Sequence, residues 1–393
     1  MKIALCADLH IGRIVSDPGW KAVVDYVCDN GCDVLLIAGD AVDSEELWYQ
    51  AYGPFTDGLR RLKNSGVRVI AVAGNHDSKI FTRLAEQDPG YLTMLGTNGR
   101  WESTDLDDTV RILGWSFASR YCNESPFANW NPSLCEFDGP VIGLLHCDAP
   151  SPAGSRYAPV RADELNSSPV SFWVMGHIHR PGFVGDKALY CGTPYPLDRS
   201  ETGPRGLWLI QADGSGISAP VQVPLAETEY APLEINLSLC TSTQEANEAI
   251  TKAVRGQGQE LLGLRDNLNT AAFNITLMGE IAPAVDMDSV LRDLTSLEIH
   301  PEEGRSIKVC SVSDMTEVAL PLEQLSLRKD PVGILATLIL NPSPALIGRV
   351  SKAESELLRQ FAFPSDGTFP DQAFRRAGIR LLRQMLSQEA DRG

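Results

Sequence analysis

The chain has no long apolar run. Its longest late stretch, Val332 to Leu340, falls far below the ~18–20 residues a membrane-spanning helix needs. The amino-terminal run Ile3–Ala7 stops at Asp8, short of the roughly seven- to fifteen-residue apolar core of a secretory signal. A soluble protein with no membrane association is expected. No C-x-x-C pair occurs among the nine cysteines, an odd number with no regular spacing. Cys28 and Cys32 could share a helix face, but ordinary packing is the expected role, and the pattern suits a reducing cytoplasm. Basic charge is scarce, with 34 Lys and Arg against 51 Asp and Glu, giving a net charge of −17. A generally basic nucleic-acid surface is therefore excluded. Any nucleic-acid substrate would need a local positive groove, metal ions or a partner protein. Histidine is scarcest of all, and five of the six cluster in a few short motifs.

Those motifs share one form, an apolar run ending in a polar, ligand-type residue. Ile3–Ala7 leads to Asp8-Leu9-His10, Val34–Ala38 to Gly39-Asp40, and Val69–Ala73 to Gly74-Asn75-His76-Asp77. Val141–Leu145 leads to His146, and Ser171–Met175 to Gly176-His177-Ile178-His179. Open α/β sheets place their sites at the carboxyl ends of strands, where these residues would fall. Asp8, His10, Asp40, Asn75, His146, His177 and His179 make seven oxygen and imidazole donors, which suit two ions sharing a bridging carboxylate. Without thiolate the set favours Mn²⁺, Fe or Zn, with Mn²⁺ preferred. Gly39, Gly74 and Gly176 precede ligands, where the chain must turn sharply or approach the metal closely. His76, next to a ligand, should leave the strand end in another direction and so could protonate or stabilise a leaving oxygen. Asp77 could orient His76 or cap the next segment of chain.

With 393 residues, two or three cores are expected. Residues 1 to about 80 read as β-α-β-α-β, with helices near Trp20–Asp29 and Tyr52–Leu62. Asn123–Gly139, rich in Pro, Asn, Ser and aromatics, reads as a loop that either covers the site or makes a surface excursion. Residues 229–330 alternate strand and helix patterns in a small α+β module, in which a capping box at Ser242 and Glu245 opens a helix to about Val254. Residues 331–393 read as helical. Their stripe of Phe374, Ala377, Gly378, Leu381, Leu382 and Met385, with Arg375, Arg376, Arg380 and Arg383 around it, would dock on its own chain or on a partner.

The ordered set D-x-H, G-D, G-N-H-D, H and G-H-x-H resembles the calcineurin-like metallophosphoesterases over residues 1–228. That resemblance implies an α/β fold, a four-layer α/β/β/α sandwich, with two metal ions bridged by Asp40 and with His76 poised at the leaving group. Asp8-Leu9-His10-Ile11-Gly12, Gly192-Thr193-Pro194 and Glu201-Thr202-Gly203-Pro204-Arg205-Gly206 are similar to segments of SbcD-type nuclease subunits and their YhaO-like relatives. By that likeness 229–330 is a capping domain and 331–393 a helical segment docking on an SbcC-like, ABC-type coiled-coil ATPase. DNA is the implied substrate and a homodimer an allowed assembly. Asp43 departs from the pattern, since some double-strand-break nucleases carry a second histidine there. Arg13, Arg120, Arg156, Arg180 and Arg199 are candidate phosphate contacts. The expected activity is Mn²⁺-dependent DNA exonuclease/endonuclease cleavage. A phosphatase or phosphodiesterase for nucleotides or other small esters is the alternative, and an inactive scaffold a third reading.

Overall fold

A computed structural model describes residues 1–81, 83, 90–343 and 370–390. In chain order the elements are β1 (Lys2–Cys6), α1 (Pro18–Asp29), β2 (Val34–Ala38), α2 (Trp48–Asn64), β3 (Arg68–Val72), β4 (Thr93–Met94), β5 (Trp101–Leu106), β6 (Val110–Trp115) and β7 (Val141–His146). Next come α3 (Ala162–Ser167), β8 (Phe172–Gly176), β9 (Gly182–Phe183), β10 (Ala188–Tyr190), β11 (Gly206–Asp213), β12 (Gly216–Ile217) and β13 (Val221–Pro224). The remainder are β14 (Thr228–Asn236), α4 (Thr243–Gly263), β15 (Thr270–Ile281), α5 (Met287–Thr295), β16 (Glu298–Ile299), β17 (Ser306–Val318), α6 (Leu322–Leu325), α7 (Pro331–Leu340) and α8 (Pro370–Ala390).

Two compact units result. The first comprises Met1–Ile235, Asn247–Leu277 and Met287–Asp314, and the second the described residues of Asn236–Ala246, Met278–Asp286 and Met315–Gly393.

The first unit is built on two stacked sheets. One has the order β12-β11-β1-β2-β3-β4, with β13 also on β11, and the other the order β5-β6-β7-β8-β10-β9. β1, β2 and β3 run parallel, pairing Leu5 with Leu36 and Leu36 with Ile70. β7 and β8 are parallel too, with His146 opposite Gly176. These strands read as unbroken apolar runs because both faces are covered. On β1, Ala4 and Cys6 meet Trp20 and Val23 of α1 and Phe55 and Leu59 of α2. Ile3 and Leu5 face the opposite way, into an aliphatic layer shared with Ile142, Leu144 and Val174 of the second sheet. Burying each such side chain contributes about 1.5–3 kcal/mol.

The outer face of the second sheet carries Leu113, Leu145, Trp173 and Met175. The expected loop at 123–139 seals this face. Phe127 and Trp130 lie 5.6 and 6.1 Å from Trp173, and the Trp101 indole donates to the Pro126 carbonyl at 2.9 Å. The fourth layer is thus mostly aromatic loop, with α3 its one regular helix among the described residues. A third sheet, β14-β15-β17-β16, carries the strand pattern expected for 229–330.

At the predicted capping box the Glu245 amide donates to Ser242 Oγ at 3.2 Å. The return bond goes one residue earlier than the motif predicts, from the Thr241 amide to the Glu245 carboxylate at 2.7 Å. In the second unit α7 and α8 join through Val332, Ala336, Ile339, Ile379 and Leu382. Phe374, Gly378 and Leu382, four residues apart, are buried, whereas Ala377 and Leu381 of the expected stripe are exposed. Residues 344–369 and 391–393, also read as helical from sequence, lie outside the described residues.

Candidate metal centre

The five motif-bearing strands deliver their polar residues to one place. Past the end of β1, the Asp8 amide donates to the Gly39 carbonyl at 3.0 Å and the His10 amide to the Asp40 carbonyl at 3.1 Å, so the two loops run on side by side. Asp8, His10, Asp40 and His177 have φ of 52°, 46°, 49° and 100°, left-handed values that turn their side chains away from the strand direction. Such conformations cost on the order of 1–3 kcal/mol each and gather at functional sites. Gly39 turns with φ of 89°. A Cβ on Gly74 would stand 2.1 Å from Asp40 Oδ1, so only glycine lets the β3 loop pass that carboxylate.

The donors converge in two overlapping groups. Asp8, His10 and His179 place ligand atoms within 4.8 Å of one another, as do Asp8, Asp40 and His146. The Nε2 atoms of His10 and His179 face each other at 3.1 Å. Asn75 Oδ1 lies 3.1 Å from His146 Nε2 and 3.2 Å from His177 Nδ1, and His146 Nε2 is 3.3 Å from Asp40 Oδ2. Asp8, Asp40, Asn75 and His146 are at most 5% exposed. Two buried carboxylates, an amide oxygen and four imidazoles, arranged in two clusters, are chemistry that fits a pair of divalent cations.

Each imidazole also has a carboxylate or carbonyl oxygen behind it. His10 Nδ1 lies 3.0 Å from Asp43 Oδ1 and His179 Nδ1 2.6 Å from Glu201 Oε1. His146 Nδ1 donates to the Ala38 carbonyl at 3.0 Å, and His177 Nε2 is 3.4 Å from Asp148 Oδ1. Partners of this kind fix the tautomer and ring direction of metal-binding histidines. Glu201 also accepts from Thr193 Oγ1 at 2.8 Å and the Leu197 amide at 3.0 Å, while the Arg205 guanidinium donates to the His179 carbonyl. Burial alone would raise the Glu201 carboxyl, yet its hydrogen bonds from His179, Leu197 and Thr193 hold it below its ordinary value. Motif reading assigned no role to Asp43, Asp148 or Glu201. Glu201 had a signal, since the segment Glu201–Gly206 stood out, but its partner was invisible before folding.

Electrostatics at the centre are set by burial against neighbouring charge. Burial pulls the His10 and His146 imidazoles down, but Asp43, Asp40 and Asp8 lift His10 and Asp40 and Asp8 lift His146, the latter to about 9. His177, half-buried and facing His146, falls to about 4. Asp40 stays ionised despite burial because His146, His10 and His76 surround it.

His76 sits at the rim. Its amide donates to Asp40 Oδ1 at 2.9 Å, its ring packs edge-on to His10 at 5.0 Å, and its Nδ1 lies 2.5 Å from the Asp43 carbonyl oxygen. A cleft of about 480 Å³ opens here, lined by Asp43, Asn75, His76, Ser78, Lys79 and Arg120 among others. Asp77 does something other than orient His76 or cap the next segment. Its buried carboxylate accepts from the amides of Ala41 at 2.6 Å, Val42 at 3.3 Å and Gly74 at 2.8 Å, clasping the β2 and β3 loops together. Burial and Asp40 raise it to about 7.

The arginines separate. Arg13 is 3.6 Å from Asp43, Arg120 lines the cleft, Arg156 lies over Tyr121, and Arg180 is exposed beside His179. Arg199 turns elsewhere and donates to the Cys310 carbonyl on β17 at 3.1 Å.

The sequence pattern of the calcineurin-like phosphoesterases matches residues 1–181, which hold all seven donors and His76. Residues 1–181 are a calcineurin-like phosphoesterase domain. The chain is 26% identical over 210 residues to the uncharacterized metallophosphoesterase YhaO of Bacillus subtilis, covering 51% of each protein. It is 21% identical over 266 residues to the DNA double-strand break repair protein Mre11 of Nanoarchaeum equitans, covering 58% of this chain and 69% of that one. For Mre11 of Methanopyrus kandleri the identity is 23% over 304 residues, covering 65% and 63%. The chain thus spans about half the length of YhaO and about two thirds of the Mre11 proteins. In the phosphoesterase domain no described helix is long and apolar enough to cross a membrane, and the same holds for every described helix of the chain.

One consequence concerns Glu201, which lies just beyond the matched domain. Glu201→Gln keeps the shape but weakens the hold on His179 Nδ1. Metal affinity, read by isothermal titration, should fall roughly 10–100-fold, the usual cost of losing a partner behind a ligand. An unchanged affinity would show that His179 needs no support from Glu201.

Proposed function

We propose that the chain is a divalent-metal-dependent DNA exonuclease/endonuclease, the nuclease subunit of an SbcCD-like repair complex. The observation that carries this reading is the pair of donor clusters sharing the buried carboxylate of Asp8, with His76 at the rim of an open cleft that Arg120 lines. Asp8, His10, Asp40 and His179 would hold one ion, and Asp40, Asn75, His146 and His177 the other, with Mn²⁺ preferred over Fe or Zn. When bound, the ions supply Lewis-acid charge to a phosphoryl group and lower the pKa of water. The chain's own residues do the rest. Asp43 and Glu201 hold His10 and His179 in one orientation, and Asp43 places the His76 ring through its carbonyl. His76 delivers a proton to the leaving 3′ oxygen as the phosphodiester breaks. Arg13, Arg120, Arg156 and Arg180 meet phosphates, the local positive groove that a protein of net charge −17 requires. Because His146 keeps a proton up to about pH 9 without metal, loading must expel it and affinity rises with pH.

The relatives named as DNA double-strand break repair proteins support DNA as the substrate. Residues 229–330 would act as a capping domain. Residues 331–393 would dock on a coiled-coil ATPase, with the exposed Ala377 and Leu381 side of α8 offered to it. The acidic net charge favours a second reading, hydrolysis of nucleotides or other small phosphate esters. Incubating end-labelled linear DNA with purified protein and Mn²⁺, beside an EDTA control and a small chromogenic diester, separates the two. Metal-dependent shortening of the DNA is expected. Hydrolysis of the diester alone would replace the nuclease reading with the second.

A further inference from the structure

Next to the metal donors an aromatic series leads out to solvent. The Tyr157 ring lies 4.9 Å from the His177 ring at 37°, and the Tyr121 ring 5.8 Å from Tyr157 at 47°. Arg156 places its guanidinium carbon 4.0 Å over the Tyr121 ring, with that of Arg120 at 5.9 Å. The series is anchored rather than loose. The Cys122 amide donates to the Arg156 carbonyl at 2.9 Å and the Ala158 amide to the Cys122 carbonyl at 2.8 Å, joining the two loops in a parallel bridge. Ser155 Oγ donates to Asp148 at 2.5 Å and accepts from the Tyr157 amide at 3.1 Å, so the loop is tied to the carboxylate behind His177.

Tyr121 nevertheless remains 43% exposed. Folding gains little from an aromatic ring left in water, and a flat ring flanked by cations is instead a surface for another flat, electron-rich group. Elsewhere in this acidic chain arginines are commonly paired, Arg111 with Asp105 and Arg161 with Asp163. Arg120 and Arg156 instead set their guanidinium groups against the Tyr121 ring. Aromatic rings beside guanidinium groups and a phosphoester centre match what a nucleotide presents, a base to stack and phosphates to neutralise.

We infer that Tyr157, Tyr121 and Arg156 form a shelf on which an unpaired nucleobase stacks beside the phosphate being cleaved. The shelf rests on the proposed nuclease reading and adds to it a requirement for a single-stranded base at the site. A paired base in a duplex has both faces covered by its neighbours and offers none to Tyr121.

The test uses the full chain and a fluorescein-labelled oligothymidylate, intact or with abasic nucleotides. Binding is read by anisotropy in EDTA, where metal-dependent cleavage is off. Base–aromatic stacking predicts roughly ten-fold weaker binding for Tyr121→Ala, with Tyr121→Trp close to wild type. Wild type should also bind the abasic oligomer about ten-fold more weakly, a discrimination that Tyr121→Ala loses. Tyr121 is exposed, so equal melting temperatures check that the variants fold. Wild-type affinity and discrimination in Tyr121→Ala would overturn the shelf and leave the nuclease reading intact. If wild type neither binds nor cleaves oligonucleotides but hydrolyses small esters, the nuclease reading fails. The shelf is then judged on KM for a nucleoside phosphodiester. A rise in Tyr121→Ala supports it, and an unchanged KM overturns it.

Discussion

Asp40→Asn should bind at most one divalent ion per chain and lose on the order of 10³-fold or more in kcat. The change swaps one carboxylate oxygen for an amide nitrogen and keeps the volume. Asp40 lies 3.3 Å from His146, accepts the His76 amide and belongs to a donor group with Asp8. Removing its charge withdraws the carboxylate that the proposed assignment gives to both ions. Metal ions of this type contribute several kcal/mol to the transition state, and each ~1.4 kcal/mol is a factor of ten. Elemental analysis of dialysed protein together with steady-state rates would check both halves. Two ions retained, with near-normal turnover, would mean that Asp40 bridges nothing.

His76→Ala should keep both ions and lose roughly 10²–10⁴ in kcat on DNA, the range expected for a positioned general acid. The leaving group tells proton donation from mere packing. A 3′ alkoxide is a poor leaving group and needs its proton, whereas a nitrophenolate leaves readily without one. The loss should therefore shrink strongly on a nitrophenyl diester, while metal stoichiometry stays the same. An equal loss on both substrates would assign His76 to binding or to the shape of the centre. His76 reaches Asp40 through its backbone amide, while its ring packs against His10 and faces the Asp43 carbonyl and the cleft.

How much of this was legible beforehand depended on how local the signal was. Apolar runs ending in Asp, Asn or His mark strand ends directly, so the seven donors could be read from residue order, whereas the stacked sheets were implied only by the family resemblance. The groups behind the donors could not be read that way. Asp43 and Asp148 sit in turns without periodicity, and only tertiary approach brings them to His10 and His177. Asp77 looked like a catalytic partner because it adjoins His76 in sequence. Its carboxylate turns inward because the β2 loop presents two amides there. α2 runs from Trp48 to Asn64, several residues beyond its apolar pattern, with Pro54 inside it. The aromatic loop at 123–139 left two readings open because composition does not reveal which face of a sheet lacks cover.

The donor set is divided between the two sheets. Asp8, His10, Asp40 and Asn75 stand at the ends of β1, β2 and β3, and His146, His177 and His179 at the ends of β7 and β8. What holds the halves at their distance is the aliphatic layer of Ile3, Leu5, Leu36, Ile142, Leu144 and Val174. That layer works as a spacer gauge for the chemistry. Its thickness sets the gap across which two ions would sit, and close-packed interiors transmit even a methylene's change in volume. Tuning of the reaction can therefore be inherited through residues that never meet substrate, metal or water.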